Sequence, residues 1–304
     1  MTDYDVMVVG GSAAGLSAAL VLSRARRKVL VVDSGAPRNA PAAHMHGFLS
    51  RDGMPPADLL TLGRQEVRGY GGEVREATVS GVLAHQPMGF TASLSDGSRV
   101  LTRRLLVATG LRDELPDIHG LAQRWGNDVL HCPYCHGHEV ADRPLGVLGA
   151  TPESVRYAQI VRQWSDDVTL VIPGGVLTDE QRTQLKARAI GVVEGVVRKV
   201  LVETDRLQGV QMDDDRTIAR AALFVPPRFV PNDDILVQLG CAMDDAGWVV
   251  RGPSGATSVP GVWVAGNVAN PKAQVITAAG EGSSAAIELN AGLVDEDVTN
   301  AVRG

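Results

Sequence analysis

Residues 5–9 read DVMVV, the next stretch reads GGSAAG, and residues 16–27 read LSAALVLSRARR, followed by KVLVV at 28–32. This succession of apolar run, glycine-bearing turn, Ala/Leu-rich helical segment and second apolar run predicts a strand–turn–helix–strand unit. It constrains the chain more than any other feature, because parallel strands joined through a helix demand a sheet covered on both faces. Gly10 and Gly15 hold the first and last positions of a G-x-G-x-x-G pattern, with Ser12 at the middle one. The chain there must turn sharply, admit a pyrophosphate to the amides at a helix N-terminus, and pack closely on the strand. Ser12, Ala13 and Ala14 line that turn. Asp33 ends the second strand, 18 residues beyond Gly15, where a carboxylate reaches a ribose hydroxyl; Ser34 follows it. The pattern predicts a bound dinucleotide.

A unit of the same type starts again at residue 145. LGVLG reads as a strand, 153–163 as a helix, VTLVI at 168–172 as the next strand, and 221–225 as one more. Residues 111–116, charged and containing Pro, read as a linker, and so does PPRFVP at 226–231. Beyond it GVWVAGN at 261–267 closes a strand and a helix rich in small residues follows. The expected fold is α/β, with two Rossmann-like, three-layer nucleotide-binding domains and the second inserted into the first. Residues 1–113 and 233–304 would form the discontinuous first domain and 114–232 the inserted one. A chain of 304 residues can bury two cores, and 34 glycines with only 4% aromatic residues suit tight turns and Ala/Val packing.

A net charge of −6 gives no reason to bind nucleic acid or an anionic membrane. No apolar stretch approaches the roughly 20 residues that span a bilayer. The start, MTDYDVMVVGG, has no basic segment ahead of an apolar one, so the expected location is the cytoplasm. Two of the three cysteines lie in HCPYCHGHE, residues 131–139. A zinc site needs about four ligands, and neighbouring residues do not easily supply a tetrahedron, so no metal is expected. Two inert thiols have no reason to sit three apart amid histidines. The third reading, a redox disulfide between Cys132 and Cys135, suits the C-x-x-C spacing and a reducing compartment. Cys241, alone in LGCAMDD, reads as a packing thiol.

The first loop, Thr109-Gly110 after a buried strand, the C-x-x-C and VWVAGNVANPKAQVITAAGEGSSAA near the C-terminus together resemble the low-molecular-weight thioredoxin reductase family, in its order and over nearly the whole chain. The resemblance implies FAD across the first domain and a homodimer. It implies FAD contacts for the loop residues and Asp33, for Arg38, Asn39 and His46 in the segment that wraps the flavin, and for Val79, Ala108, Thr109 and Gly110. Gly266 and Asn267 match the family's ribityl and pyrophosphate contacts, with Asn267 where the family has Asp; Gln274 and Val275 match contacts to the isoalloxazine ring. It also implies that Cys135 faces the flavin, that Cys132 exchanges with substrate, and that His136 stands where the family's Asp moves the thiol proton. An imidazole suits that work near neutral pH. His138 reads as simply exposed, with a second proton carrier as the alternative.

The family's inserted domain binds NADPH through a second glycine loop and a following cluster of cations. Here Gly149 keeps the first position, but Thr151 and Ser154 replace the later small residues, and Pro152 removes an amide. Pro173-Gly174-Gly175 follows the next strand with no Arg where phosphate recognition needs one. The domain is therefore expected not to bind NADPH in the usual way. C-P-Y-C-H-G-x-E resembles the holomycin- and gliotoxin-type dithiol oxidase branch, which implies a small-molecule dithiol as electron donor and oxygen as acceptor. Two other readings stay open: a reductase of thioredoxin-like proteins fed by NADPH or a ferredoxin-type donor, and a flavin-binding redox sensor.

Overall fold

The computed structural model describes residues 3–85 and 89–303. The chain divides into two compact units: Met1–Ala40, Gly47–Arg112 and Phe229–Gly304 form the first, and Pro41–His46 with Asp113–Arg228 the second. Residues 41–46, expected in the first domain, thus group with the second unit.

In the first unit, Glu73–Glu76, Val29–Asp33, Tyr4–Val9 and Arg99–Val107 lie side by side and parallel. Arg99–Val107 forks the sheet. Its residues 99–102 pair antiparallel with Phe90–Leu94, which carries on to Val79–Ala84, while 105–107 pair parallel with Val262–Val264. Val6, Val8, Val29, Val31 and Leu106 face helices Ala13–Arg24 and Val275–Arg303. Met7, Val9, Leu30, Val32, Leu105 and Val107 face the opposite core with Phe90, Ala92 and Leu236. Both faces are buried, which is why these strands read as unbroken apolar runs.

The small residues of the C-terminal helix have a packing reason. A Cβ on Gly282 would lie 2.0 Å from the carbonyl oxygen of Ala14, so only glycine lets the two helices meet this closely at the phosphate turn.

The second unit carries a five-stranded parallel sheet in the order Gly191–Glu194, Val168–Ile172, Leu145–Leu148, Ala222–Phe224, Val129–Leu130. Helices Ser154–Val161 and Asp179–Ala187 cover one face. An antiparallel sheet of Val197–Glu203, Arg206–Met212 and Thr217–Ala219 covers the other, through Val200, Leu207, Val210 and Met212. The result is the mixed α/β, two-Rossmann-type architecture expected from the repeated unit.

The two segments read as linkers are not loops: Leu111–Glu114 and Arg228–Pro231 pair as a two-stranded ribbon, which holds the chain passages at 112–113 and 228–229. Charge and Pro content point to a loop, yet an isolated ribbon has only edges, where Pro at a strand end removes no needed hydrogen bond. Among the described residues, no helix is long and apolar enough to cross a membrane.

Candidate functional site

The first turn is built from backbone. Gly10 adopts φ +104°, and a Cβ there would lie 2.3 Å from the Ala108 carbonyl oxygen; at Gly15 it would lie 1.9 Å from the Gly10 oxygen. Neither position tolerates a side chain. Helix Ala13–Arg24 begins after Ser12 with no side chain capping it and no acid in its first turn. Its first amides and the positive end of its dipole therefore face the turn uncompensated, as an anion requires. The Gly11 amide donates to Asp33 Oδ1 at 3.1 Å and Arg64 Nη2 to Asp33 Oδ2 at 2.8 Å. These bonds fix the carboxylate and leave lone pairs for ribose hydroxyls. This cradle and donor set fit a dinucleotide.

The C-terminal loop closes on the same turn. Gly266 donates its amide to Glu281 Oε2 at 2.9 Å, and Glu281 Oε1 also accepts from Asn270 and Arg251. Asn267 behaves otherwise than its position suggests. Its Nδ2 donates to the carbonyls of Asn270 (2.9 Å) and Ala273 (3.0 Å), while Oδ1 accepts from Arg38 Nη1 at 3.3 Å. Its Nδ2 is thus engaged within the loop, and Oδ1 keeps acceptor capacity toward a ribityl hydroxyl. A carboxylate could make neither donor bond, which gives Asn a physical reason at this position.

Thr109 and Gly110 are clasped by Asn232. Thr109 Oγ1 donates to the Asn232 carbonyl at 2.6 Å, Asn232 Nδ2 returns to the Thr109 carbonyl at 2.9 Å, and the Asn232 amide bonds Gly110 at 3.0 Å. Gln274 and Val275 open the C-terminal helix, the Gln274 carbonyl accepting from Ala278. Ser34 and Asn39 lie on the segment after Asp33, and Val79 heads its strand. His46 groups with the second unit, where its Nε2 lies 3.3 Å from Glu139 Oε1.

In the second unit Cys132 and Cys135 are joined as a disulfide, with their Cα atoms 5.2 Å apart. Cys132 precedes the short helix Pro133–His136, and its carbonyl accepts from the amides of Cys135 and His136, both at 3.1 Å. Tyr157 on helix Ser154–Val161 donates its hydroxyl to the His131 carbonyl, one residue before the pair. Burial pushes the Tyr157 phenol up, so it stays a donor. Burial also holds the His136 imidazole below its ordinary range; Glu139 opposes this and His46 adds to it. His136 is therefore a neutral base at physiological pH. His138 is exposed, and Cys241 is buried with its thiol pushed up by burial.

The second turn is filled by its own residues. Buried Ser154 places Oγ 3.2 Å from the Ala150 amide and 3.5 Å from the Thr151 amide, occupying groups a pyrophosphate would use. Glu153 precedes the helix, and a hydrogen bond from Thr151 holds its carboxylate below the usual range. An exposed carboxylate thus stands at the start of this helix, where its charge opposes the binding of an anion. Past strand Val168–Ile172, Arg182 is ion-paired to Glu194. Glu281, Asn232 and Tyr157 were not legible in the sequence, since each acts on residues far from it in the chain, up to 123 positions for Asn232 and Thr109.

The sequence profile of the pyridine nucleotide-disulphide oxidoreductases matches residues 4–282. Thioredoxin reductase sirT of Leptosphaeria maculans is 32% identical over 94% of this chain and 93% of its own. The crystal structure of HlmI is 56% identical, superposes with a TM-score of 0.96, and is matched over 99% of this chain and 95% of that one. An oxidoreductase from Agrobacterium tumefaciens is 35% identical with a TM-score of 0.90, over 97% and 99%. The open cradle, the disulfide and these matches lead to one assignment: the chain belongs to the pyridine nucleotide-disulphide oxidoreductase family, as a thioredoxin reductase-like, FAD-binding enzyme of disulfide chemistry.

Proposed function

We propose that this enzyme is a dithiol oxidase: a small-molecule dithiol reduces Cys132–Cys135, and oxygen, not NADPH, takes the electrons. The observation that carries the reading is the second turn, where Ser154 Oγ takes the amides a phosphate would use while the disulfide and its histidine are intact. The likeness to HlmI supports it.

His136 accepts the proton of the first substrate thiol at its neutral imidazole nitrogen. The resulting thiolate attacks Cys132 Sγ, breaking the Cys132–Cys135 bond and leaving Cys135 as thiolate. The second substrate thiol then attacks the substrate sulfur of this mixed disulfide, closing the substrate disulfide and releasing Cys132, whose sulfur takes that thiol's proton. The substrate has lost two electrons and two protons, and the cysteine pair has gained the electrons. Gly10, Ser12–Gly15 and Asp33 would hold the pyrophosphate and ribose of FAD, which when bound accepts the electron pair and delivers it to oxygen.

The test is an oxygen electrode. Dithiothreitol should be oxidised with one oxygen consumed and one hydrogen peroxide formed per dithiol, and Cys132→Ser should abolish uptake while FAD stays bound. Steady oxidation of NADPH in the presence of a disulfide substrate would instead make the enzyme a reductase running the same pair in reverse.

A further inference from the structure

Residues 41–46 group with the second unit, whereas the residues on either side of them belong to the first. The last of the six, His46, keeps only 22% of its side chain exposed and places Nε2 3.3 Å from Oε1 of Glu139. Glu139 follows His136 by one helical turn. Helix Pro133–His136, Gly137 at φ −66° and ψ −32°, and the single turn His138–Val140 continue in one hand, so His136 and Glu139 are spaced i, i+3 on one face. A carboxylate that is 43% exposed has many rotamers in water, and the pairing with His46 selects one of them. Burial disfavours the protonated form of His136; the Glu139 carboxylate opposes this, and His46 adds to it more weakly than Glu139 opposes it. Around them, Cys132 and Cys135 do not titrate while joined, and His138 is exposed. Tyr157, reaching the His131 carbonyl from helix Ser154–Val161, stays a neutral phenol.

Resting on the proposed mechanism, in which His136 becomes an imidazolium in a partly buried place, we propose that His46 and Glu139 are positioning residues of the thiol step. His46 anchors the carboxylate, and the carboxylate supports the charge that His136 gains with the substrate proton. The proton moves from the substrate sulfur to the imidazole nitrogen; neither His46 nor Glu139 exchanges a proton or an electron. His46 thus works through Glu139, and removing the anchor forfeits the larger, favourable effect together with its own smaller, unfavourable one.

The experiment uses the FAD-loaded protein carrying ¹³C-labelled histidine, with the His136 resonance identified by its loss in His136→Asn. An NMR titration reads the His136 midpoint, and anaerobic stopped-flow bleaching by dithiothreitol at pH 7 reads the rate of disulfide reduction. Glu139→Gln should lower the midpoint and slow the reduction about two- to fivefold, the worth of a partly exposed ion pair. His46→Ala should act in the same direction on both, and His46→Gln, whose amide nitrogen can still donate to Glu139, should restore the lost rate. Combining Glu139→Gln with His46→Ala should slow the step no further than Glu139→Gln alone, since the two residues act in one chain. A His136 midpoint that stays or rises in His46→Ala, or losses that multiply in the double variant, overturns the inference while leaving the oxidase reading intact. A native flavin that dithiothreitol does not bleach overturns the reading itself, and the inference with it.

Discussion

Under the proposed mechanism, His136 sets the pH behaviour of the exchange step. Because burial holds its pKa below the ordinary histidine value, the base form persists as pH falls, and the acid limb of the native rate profile should lie below about pH 6.5. Without the imidazole the substrate thiol must ionise unaided, near pH 8.5 for an ordinary thiol, so the limb of His136→Ala should move up to that value. The deficit should reach about thirtyfold at pH 7 and close above about pH 9. A stopped-flow pH profile of disulfide reduction checks it, and an unshifted limb would remove His136 from the mechanism. The residues of this step were legible because Cys132, Cys135 and His136 are contiguous. His46 was not: the chain brings it to Glu139 across 93 residues, which no local pattern records. Asn267 was legible in place but not in role, since its loop carbonyl partners follow from a fold of the backbone.

At the scale of elements, the phosphate cradle depends on how closely the C-terminal helix approaches the first one. Gly282→Ala would put a methyl 2.0 Å from the Ala14 carbonyl oxygen, and the helix would have to move off the turn that holds FAD. A loss of about 1–3 kcal/mol in stability, together with weaker FAD retention on dilution, is expected, and Gly292→Ala on the same helix, where a Cβ meets nothing within 4 Å, serves as control. Equal thermal midpoints for the two variants would refute the close-packing account. Elements buried on both faces were readable from their apolar runs, as VTLVI shows, matching strand Val168–Ile172 residue for residue. The ribbon of Leu111–Glu114 with Arg228–Pro231 was not. Its strands lack a buried face and so carry no periodic apolar signal, and they are held by backbone pairing and an Arg228 Nε–Glu114 bond of 2.9 Å.

At the scale of the whole molecule, the chain repeats one architecture twice and uses the two copies differently. In the first unit the turn keeps its amides open and its carboxylate fixed. In the second, Ser154 Oγ engages the amides of the turn, and helix Ser154–Val161 supplies Tyr157 to the backbone beside the disulfide. Under the proposed function, a unit of nucleotide-binding type serves as the support of the cysteine pair. The central claim is that electrons enter through the dithiol and not through a nicotinamide. Anaerobic titration of the FAD-loaded protein, with dithiothreitol and with NADPH in separate cuvettes, tests it most directly. The account predicts that dithiothreitol bleaches the flavin absorbance, that NADPH leaves it unchanged, and that air restores the colour. Rapid bleaching by NADPH would contradict it, showing that the filled turn still admits a dinucleotide.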